Sequence, residues 1–483
     1  MKTDKIKKLE KISSALEPNQ QRFNRMNKDI SQWAEKFLID LKTLPAHYTI
    51  QRRKKLPGWK KLLNKNPGSS KNLLKIFNQK IVNSGVNPAS SGYVAYIPGG
   101  GVPWAALGDY MADISNLYSG AYFACPGAVE LENRMISWMC HLLKFPNTAA
   151  GNITSGGSMA NLIALVTARD KFIKKFKNQT NWVIYLSSQT HHSVEKSLRV
   201  IGLGDIKVRK IPMDKHFRMN TTILSDTISS DKNSGLHPWL VLGNAGTTDT
   251  GACDNLIVLS KICRKFNLWF HVDAAYGGFF LLSPQGKKIM KGINYADSVV
   301  MDPHKGLFLP YGIGAVLIRD KKYLMESFKY QANYMHDIYR EEEELYPSLL
   351  SPELTRPFRA MRMWLTIHFA GMKALKASIE EKILLARYFY ERIKKIPFIE
   401  APLPPDFSVV LFRYNDGMND PDTMTQRFLK LIRKEKSFYI SSTLIEGHVY
   451  LRLAVLCFRT HLIHVDKVLD TMLKCRLPFR GIV

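Results

Sequence analysis

The sequence lacks the features that mark membrane, secreted and metal-binding proteins. It contains no apolar run that approaches the roughly 18 residues of a membrane-spanning helix. Residues 1–9 are charged and have no apolar core, so we expect no secretory signal there. The chain has only six cysteines and no CxxC pair, so we expect reduced thiols and no metal site. These absences favour the cytoplasm and argue against a membrane span.

Acidic residues are also scarce. The chain has 41 Asp and Glu residues against 69 Lys and Arg residues, which gives a net charge of +28. Such an excess is typical of a protein with an anionic partner, such as nucleic acid, or of a protein with a solvated basic surface. Because the basic residues are scattered and no nucleic-acid motif accompanies them, we favour the solvated surface and expect no specific nucleic acid. A basic nucleic-acid-binding protein on an inactive fold stays a remote alternative.

The middle of the chain alternates predicted strands and helices. The predicted strands are 182–187, 239–242, 268–272 and 299–301, and a helix is predicted at 256–266. This alternation indicates a largely parallel sheet with helices on both faces. In such sheets, ligands bind at the carboxyl ends of the strands.

The chain is long enough for a large core and for more than one domain, since 45% of its 483 residues are hydrophobic. We predict an N-terminal helical segment at 1–90, which could pack at a dimer interface or on its own chain. A large α/β domain is predicted at 91–373, and a small C-terminal α+β domain at 374–483. Residues 326–356 are predicted to form a mobile loop over the site.

Chemically suited residues follow the predicted strands. His191, Thr247, Asp273 and Lys305 all fall at carboxyl ends. A lysine that can form an imine and an aspartate that can pair with a pyridinium nitrogen are what pyridoxal 5'-phosphate (PLP) requires of a protein. Upstream, a Ser-Gly-Gly-Ser turn opens an apolar helix and could hold a phosphate, although many helices begin this way. A histidine pair such as that at 191–192 more often caps a helix, so the combination of residues is the stronger signal.

Four motifs extend these observations: T-S-G-G-S-M-A-N, H-H-S-V-E-K, H-V-D-A-A-Y-G-G and D-P-H-K. Between about Tyr93 and Thr460 the chain resembles the PLP-dependent group II amino-acid decarboxylases, the family of aromatic-L-amino-acid, histidine and glutamate decarboxylases. The resemblance implies an α/β fold of the PLP-dependent transferase type (aspartate aminotransferase-like, fold type I). It implies a mostly parallel central sheet in the large domain and a smaller C-terminal α+β domain. It also implies a homodimer with shared active sites.

The resemblance implies roles for the residues of the cofactor site. Lys305 looks like the lysine that binds PLP covalently, and Asp273 matches the aspartate that keeps the pyridine nitrogen protonated. His191 matches the histidine stacked on the ring, and Ala275 matches the small residue on the opposite face. The other cofactor-binding positions that it implies are Gly156, Gly157 and Ser158 in the phosphate turn, His304 near it, and Thr247 beside the cofactor.

Further positions are implied on the substrate side. Tyr96, Ile97 and Pro98 match the family's substrate-side loop, and Arg452 matches an arginine near the site. Tyr334 falls where the mobile loop of the family carries the tyrosine that protonates the product carbon. We therefore expect Tyr334 to be catalytic together with Lys305, Asp273 and His191.

One position departs from the family. Asp302 stands where members often have Asn before Pro-His-Lys. A carboxylate near a phosphate is unfavourable unless a cation or a hydrogen bond compensates for it. We therefore assign Asp302 no phosphate role.

The sequence thus predicts a PLP-dependent carboxy-lyase that converts an L-amino acid to its amine and CO2. An aromatic substrate is favoured by the family's best match and by Tyr96 and Trp104 near the pocket loop, whereas the basic surface argues weakly for an acidic one. A decarboxylase of an acidic or other amino acid stays an alternative, as does an aldehyde-forming or lyase relative. The retained Tyr334 argues against aldehyde formation.

Overall fold

The computed structural model describes residues 2–48, 68–175, 181–330 and 345–475. The chain divides into two compact units. One comprises residues 1–93 with 436–439, and the other comprises residues 94–435 with 440–483. Among the described residues, no helix is both long enough and apolar enough to cross a membrane.

The described residues of the smaller unit are largely helical. Its helices are α1 (Lys2–Ser13), α2 (Gln20–Asp40) and α3 (Ser70–Phe77). Helix α2 begins where the side chain of Asn19 accepts a hydrogen bond from the backbone N–H of Arg22, which satisfies one of the N–H groups that have no partner within the helix. Trp33 of α2 packs edge-on against Phe77 of α3, with ring centroids 5.1 Å apart.

A seven-stranded sheet forms the centre of the larger unit, and its strand order is β1-β7-β6-β5-β4-β2-β3. The pairs from β3 through β6 are all parallel, whereas β7 runs antiparallel to both of its neighbours. The prediction of a mostly parallel central sheet is therefore confirmed. The strands are β1 (Ala150–Thr154), β2 (Trp182–Ser187), β3 (Lys207–Ile211), β4 (His237–Asn244), β5 (Trp269–Asp273), β6 (Ser298–Met301) and β7 (Gly314–Ile318).

Alternate residues of these strands pack into two separate apolar layers. On β2, Val183 and Tyr185 belong to one core, and Ile184 and Leu186 belong to the other. Because successive side chains of a strand point to opposite faces, this division shows that both faces of the sheet are covered.

Helices cover the sheet and lead into the C-terminal part of the chain. The helices of this unit are α4 (Pro103–Ser115), α5 (Pro126–Leu142), α6 (Gly157–Lys175), α7 (Ser193–Val200), α8 (Thr221–Asn233), α9 (Leu256–Phe266), α10 (Pro284–Ile289), α11 (Pro303–Gly306), α12 (Lys321–Phe328), α13 (Ala360–Ile393), α14 (Pro421–Ile432) and α15 (Leu462–Lys474). The backbone of α13 leaves helical geometry at Gly371, where φ is 73° and ψ is 151°. A glycine adopts this conformation without a steric penalty, so the chain can leave helical geometry at this position.

A smaller sheet lies in the C-terminal part of the chain. It has four antiparallel strands in the order β10-β11-β9-β8. The strands are β8 (Ile399–Glu400), β9 (Val409–Tyr414), β10 (Ser441–Ile445) and β11 (His448–Ala454). The α+β character predicted for this region is thus present, and the predicted domain boundaries at residues 90 and 373 stay predictions.

Candidate active site

The carboxyl ends of β2, β4, β5 and β6 meet beside the start of α6 around a cavity of about 270 Å³. This is where a doubly wound sheet places its ligand. The structure brings together around this cavity every residue predicted to contact the cofactor. These are Gly156, Gly157, Ser158, His191, Thr247, Asp273, Ala275, His304 and Lys305. Their individual roles stay predictions.

The turn between β1 and α6 has the geometry of an anion cradle. Gly156 has a φ of 151°, a conformation that residues with a side chain rarely adopt. A Cβ atom on Gly157 would lie 2.8 Å from Oδ2 of Asp302, so a side chain there would force the buried Asp302 or the turn to move. The N–H groups in the first turn of α6 have no acceptors within the helix and lie at the positive end of its dipole. An anionic group such as a phosphate is therefore stabilised at this turn.

The carboxylate of Asp273 ends β5 and is held in a fixed orientation. Oδ1 accepts a hydrogen bond from the backbone N–H of Ala275 at 3.0 Å, and Oδ2 accepts one from Nδ2 of Asn161 at 2.9 Å. The carboxylate lines the cavity although the residue is buried. It is therefore available to a cationic N–H of a ligand.

Lys305 lies on α11, the single turn of helix that follows β6. Its Nζ is 3.1 Å from Oδ2 of Asp302, which is buried. Within the described part of the chain, Oδ1 of Asp302 has no hydrogen-bond partner. The neighbouring His304 is hydrogen-bonded through Nδ1 to the carbonyl oxygen of Ile313 at 2.5 Å, and burial lowers its pKa.

Burial is the largest influence on the pKa of His191 and lowers it. The ring is therefore uncharged near neutral pH. Its Nδ1 accepts a hydrogen bond from the backbone N–H of Ser193 at 3.2 Å and lies 2.7 Å from the hydroxyl of that residue. His191 thus binds the first turn of α7, as helix-capping histidines do, and lines the cavity as well. An uncharged imidazole suits stacking on a cationic ring.

The substrate-side residues are placed differently. Arg452 of β11 is buried and does not line the cavity. It donates hydrogen bonds to the carbonyl oxygens of Asp249 (2.9 Å) and Thr248. It therefore anchors the turn that carries Thr247. Burial lowers the pKa of this guanidinium.

The loop at 96–98 borders the site without lining the cavity. Ile97 and Pro98 are buried, whereas 51% of Tyr96 is exposed. The backbone N–H of Gly99 donates to the carbonyl oxygen of His304 at 3.2 Å, which fixes the loop beside α11. Tyr334 lies outside the described residues, so its role stays a prediction.

Sequence reasoning missed Asn161 and His271, which lie behind Asp273. Asn161 belongs to the T-S-G-G-S-M-A-N motif and follows Gly157 by one helical turn. That spacing places the two residues on one face of α6, a signal that could have identified Asn161. His271 precedes Asp273 by two residues on β5. Because residues two apart on a strand lie on the same face, this spacing could have identified His271 as well.

These residues fit PLP. The turn at Gly156 and Gly157 suits its phosphate, the carboxylate of Asp273 suits its ring nitrogen, and the amine of Lys305 suits its aldehyde. The fold and the site together define a PLP-dependent enzyme of fold type I.

Comparison with known proteins identifies the family within that class. Residues 59–415 match the pyridoxal-dependent decarboxylase conserved domain. The chain is 33% identical over 445 residues to an aromatic-L-amino-acid decarboxylase of Bacillus atrophaeus, covering 90% of this chain and 91% of the relative. The chain therefore belongs to the pyridoxal-dependent decarboxylase family and is a PLP-dependent carboxy-lyase. The predictions of family, cofactor and enzyme class are confirmed.

Solved structures agree in fold. A crystal structure of Oryza sativa TDC with PLP and tryptamine superposes with a TM-score of 0.90 at 22% identity and covers 95% of this chain and 98% of that chain. A 4-hydroxyphenylacetaldehyde synthase of Rhodiola rosea superposes with a TM-score of 0.86 at 25% identity over the same shares of the two chains. The fold-type prediction is confirmed.

Proposed function

We propose that this chain removes the α-carboxylate of an aromatic L-amino acid and releases the amine and CO2. The observation that carries the proposal is that Lys305 and Asp273 face one cavity beside the glycine turn at 156–157. The similarity to an aromatic-L-amino-acid decarboxylase supports the aromatic substrate. We further propose that the enzyme acts in the cytoplasm as a homodimer with shared active sites.

When bound, PLP supplies an electron sink for the electron pair that the departing carboxylate leaves on Cα. Lys305 would hold the cofactor through its amine. Asp273 would keep a proton on the ring nitrogen, and His191 and Ala275 would contact the ring from either side. Orientation of the substrate by such contacts would matter as much as charge does. Tyr334 then delivers a proton to Cα as a general acid.

A second function, aldehyde formation, is favoured by the similarity to the 4-hydroxyphenylacetaldehyde synthase. The two functions differ in the fate of Cα. It is protonated in one, and in the other it is oxidised to the aldehyde by dioxygen as co-substrate, with release of ammonia and hydrogen peroxide. Since Tyr334 is present as a proton donor, we favour the amine.

The test is a substrate screen with the purified, PLP-loaded enzyme. CO2 release is measured with L-tyrosine, L-tryptophan, L-phenylalanine, L-histidine and L-glutamate, and the organic product of each reaction is identified. We expect amines from the aromatic substrates. Turnover of glutamate alone would overturn the aromatic assignment, and aldehyde as the main product would overturn amine formation.

The Tyr334→Phe variant tests the proton donor. It should lose amine formation or redirect it toward aldehyde, because phenylalanine has no proton to give. Unchanged amine yield would refute this role.

Hybrid dimers of the Lys305→Ala and Tyr334→Phe chains test shared sites, since activity returns only if one site draws Lys305 and Tyr334 from different subunits.

A further inference from the structure

A file of buried polar side chains runs from the carboxylate of Asp273 into the protein. Asn161 Nδ2 donates to Asp273 Oδ2 at 2.9 Å, and Asn161 Oδ1 lies 2.9 Å from His271 Nε2. His271 Nδ1 lies 2.8 Å from the hydroxyl of Ser298, which accepts a hydrogen bond from Trp269 Nε1 at 2.8 Å. The four residues behind Asp273 are at most 1% exposed.

The two ends of this file fix the direction of every hydrogen bond in it. An ionised carboxylate can only accept, so the amide nitrogen of Asn161 faces Asp273 and its oxygen faces His271. His271 must then carry its proton on Nε2. Burial lowers the pKa of His271 to about 4, so the ring is neutral and Nδ1 is an acceptor. The hydroxyl of Ser298 therefore donates to Nδ1 while its oxygen accepts from Trp269.

All four hydrogen bonds consequently point toward Asp273. Aligned hydrogen bonds polarise one another, and the effect is larger in a dry interior than in water. The backbone reinforces the arrangement, because His271 on β5 is paired in register with Ser298 on β6. His271 also lies on the face of the strand that carries Asp273. The file thus delivers a strengthened N–H donor to one carboxylate oxygen.

A purely structural role explains this file less well. A buried histidine must find two hydrogen-bond partners, and apolar residues of the same shape would fill the core without that requirement. Here the partners are satisfied in only one orientation, and the last of them is the residue that faces the cofactor. Among the described residues, the other titratable side chains that line the cavity with Asp273 are His191, Asp302, His304 and Lys305.

We propose that Asn161 and His271 are positioning residues that make Asp273 a weaker base and so keep the shared proton on the ring nitrogen of PLP. The inference deepens the proposed function and rests on its assignment of Asp273. A donor to Oδ2 stabilises the carboxylate against protonation. Without that donor, the proton moves toward Asp273 and the neutral ring draws electrons from Cα less strongly.

The experiment measures the ring nitrogen directly. The full-length protein is loaded with PLP that carries ¹⁵N in the pyridine ring, and the ¹⁵N chemical shift is recorded by NMR. The variants are Asn161→Leu, His271→Phe and Ser298→Ala. Asn152→Leu is the matched control, because Asn152 is another buried asparagine of this unit and its amide donates to the carbonyl oxygen of Pro347 instead.

We expect the ring ¹⁵N signal of Asn161→Leu to move toward the unprotonated position, with smaller shifts in His271→Phe and then Ser298→Ala. The control should keep the protonated signal. Turnover should fall roughly ten- to a hundredfold in Asn161→Leu, the range for a hydrogen bond to a charged group. The conservative His271→Gln variant keeps an N–H donor toward Asn161. Its ring ¹⁵N signal should therefore lie close to the protonated position of the unmodified protein.

A protonated signal in loaded Asn161→Leu would overturn the proposal and leave Asn161 a structural residue. If that variant does not fold, His271→Phe and the milder Ser298→Ala decide the matter by the same signal, because each removes a donor from the file. An unprotonated ring nitrogen in the unmodified protein would be a different failure. It would refute the role of Asp273 in the proposed function and with it this inference.

Discussion

Nζ of Lys305 lies 3.1 Å from Oδ2 of Asp302. The lysine that is expected to bind PLP therefore has a buried counter-ion three residues before it in the chain. Asp302 also packs directly beneath Gly157 of the phosphate turn, and its second oxygen has no hydrogen-bond partner in the described part of the chain. The carboxylate thus acts in opposite ways on the lysine and on the phosphate of the cofactor. It attracts the lysine and repels the phosphate.

Replacing Asp302 with Asn should tighten PLP binding. The substitution keeps the shape of the side chain and removes a buried negative charge close to the phosphate cradle. Charges several Å apart at an effective dielectric constant of about 20 interact by about 1 to 3 kcal/mol, so we expect PLP to dissociate roughly tenfold less readily. Equilibrium dialysis of PLP measures the change. The half-buried Asp320, which pairs with Lys322, supplies the control variant Asp320→Asn. Weaker binding in Asp302→Asn would mean that the attraction to Lys305 dominates.

The phosphate turn should not tolerate a side chain at Gly157. A Cβ atom there would approach Asp302 Oδ2 to 2.8 Å and the Cβ of Ala275 to 3.3 Å. Gly157→Ala should therefore displace the turn and weaken PLP binding roughly tenfold or more, in line with the usual free-energy cost of overpacking. Gly127→Ala is the matched control, because nothing lies within 4 Å of a Cβ atom at that position. Equal PLP affinity in the two variants would contradict the assignment of the turn.

Acid should destabilise the protein partly through His271. Burial lowers the pKa of this imidazole from 6.5 to about 4, so the unfolded chain binds a proton more readily than the folded one. Stability should therefore be lost as the pH falls from about 6.5 toward 4, by up to roughly 3 kcal/mol. Guanidinium unfolding at a series of pH values measures this slope.

His271→Gln should flatten the pH dependence of unfolding, since glutamine does not titrate. His141→Gln is the control, because His141 is exposed. An equally steep loss of stability in His271→Gln would assign the acid sensitivity to other groups, such as the half-buried His191 and His304.

The sequence predicts the elements that carry the site better than those at the edges of the fold. Strand β2 and helix α9 have the predicted bounds, because each is a compact apolar segment followed by polar residues. The edge strand β3 has no such signal. Its sequence, K-V-R-K-I, consists mainly of charged residues, and only Ile211 is buried. Its place in the sheet depends on pairing with β2, which local pattern does not reveal.

The residues of the site likewise divide into those that the sequence predicts and those that it does not. Asp273 and Lys305 are predictable because both are chemically distinctive and adjoin apolar strands. Asp273 ends β5, and Lys305 follows the end of β6 by four residues. Asn161 meets Asp273 across more than a hundred residues of chain, so their contact depends on how α6 packs on the sheet. Arg452 matches a family arginine near the site, yet the structure gives its hydrogen bonds to the turn after β4. Sequence similarity indicates that such a residue is close to a site but not which atoms it contacts.

The central claim is that Lys305 carries PLP, and the visible absorbance of the purified protein tests it most directly. The unmodified protein, reconstituted with PLP, should show a cofactor absorbance band that borohydride abolishes. Mass spectrometry should then find the reduced cofactor on the peptide that contains Lys305, and Lys305→Ala should lack the band. A colourless protein that PLP cannot reconstitute, or a cofactor fixed on a different lysine, would contradict the account.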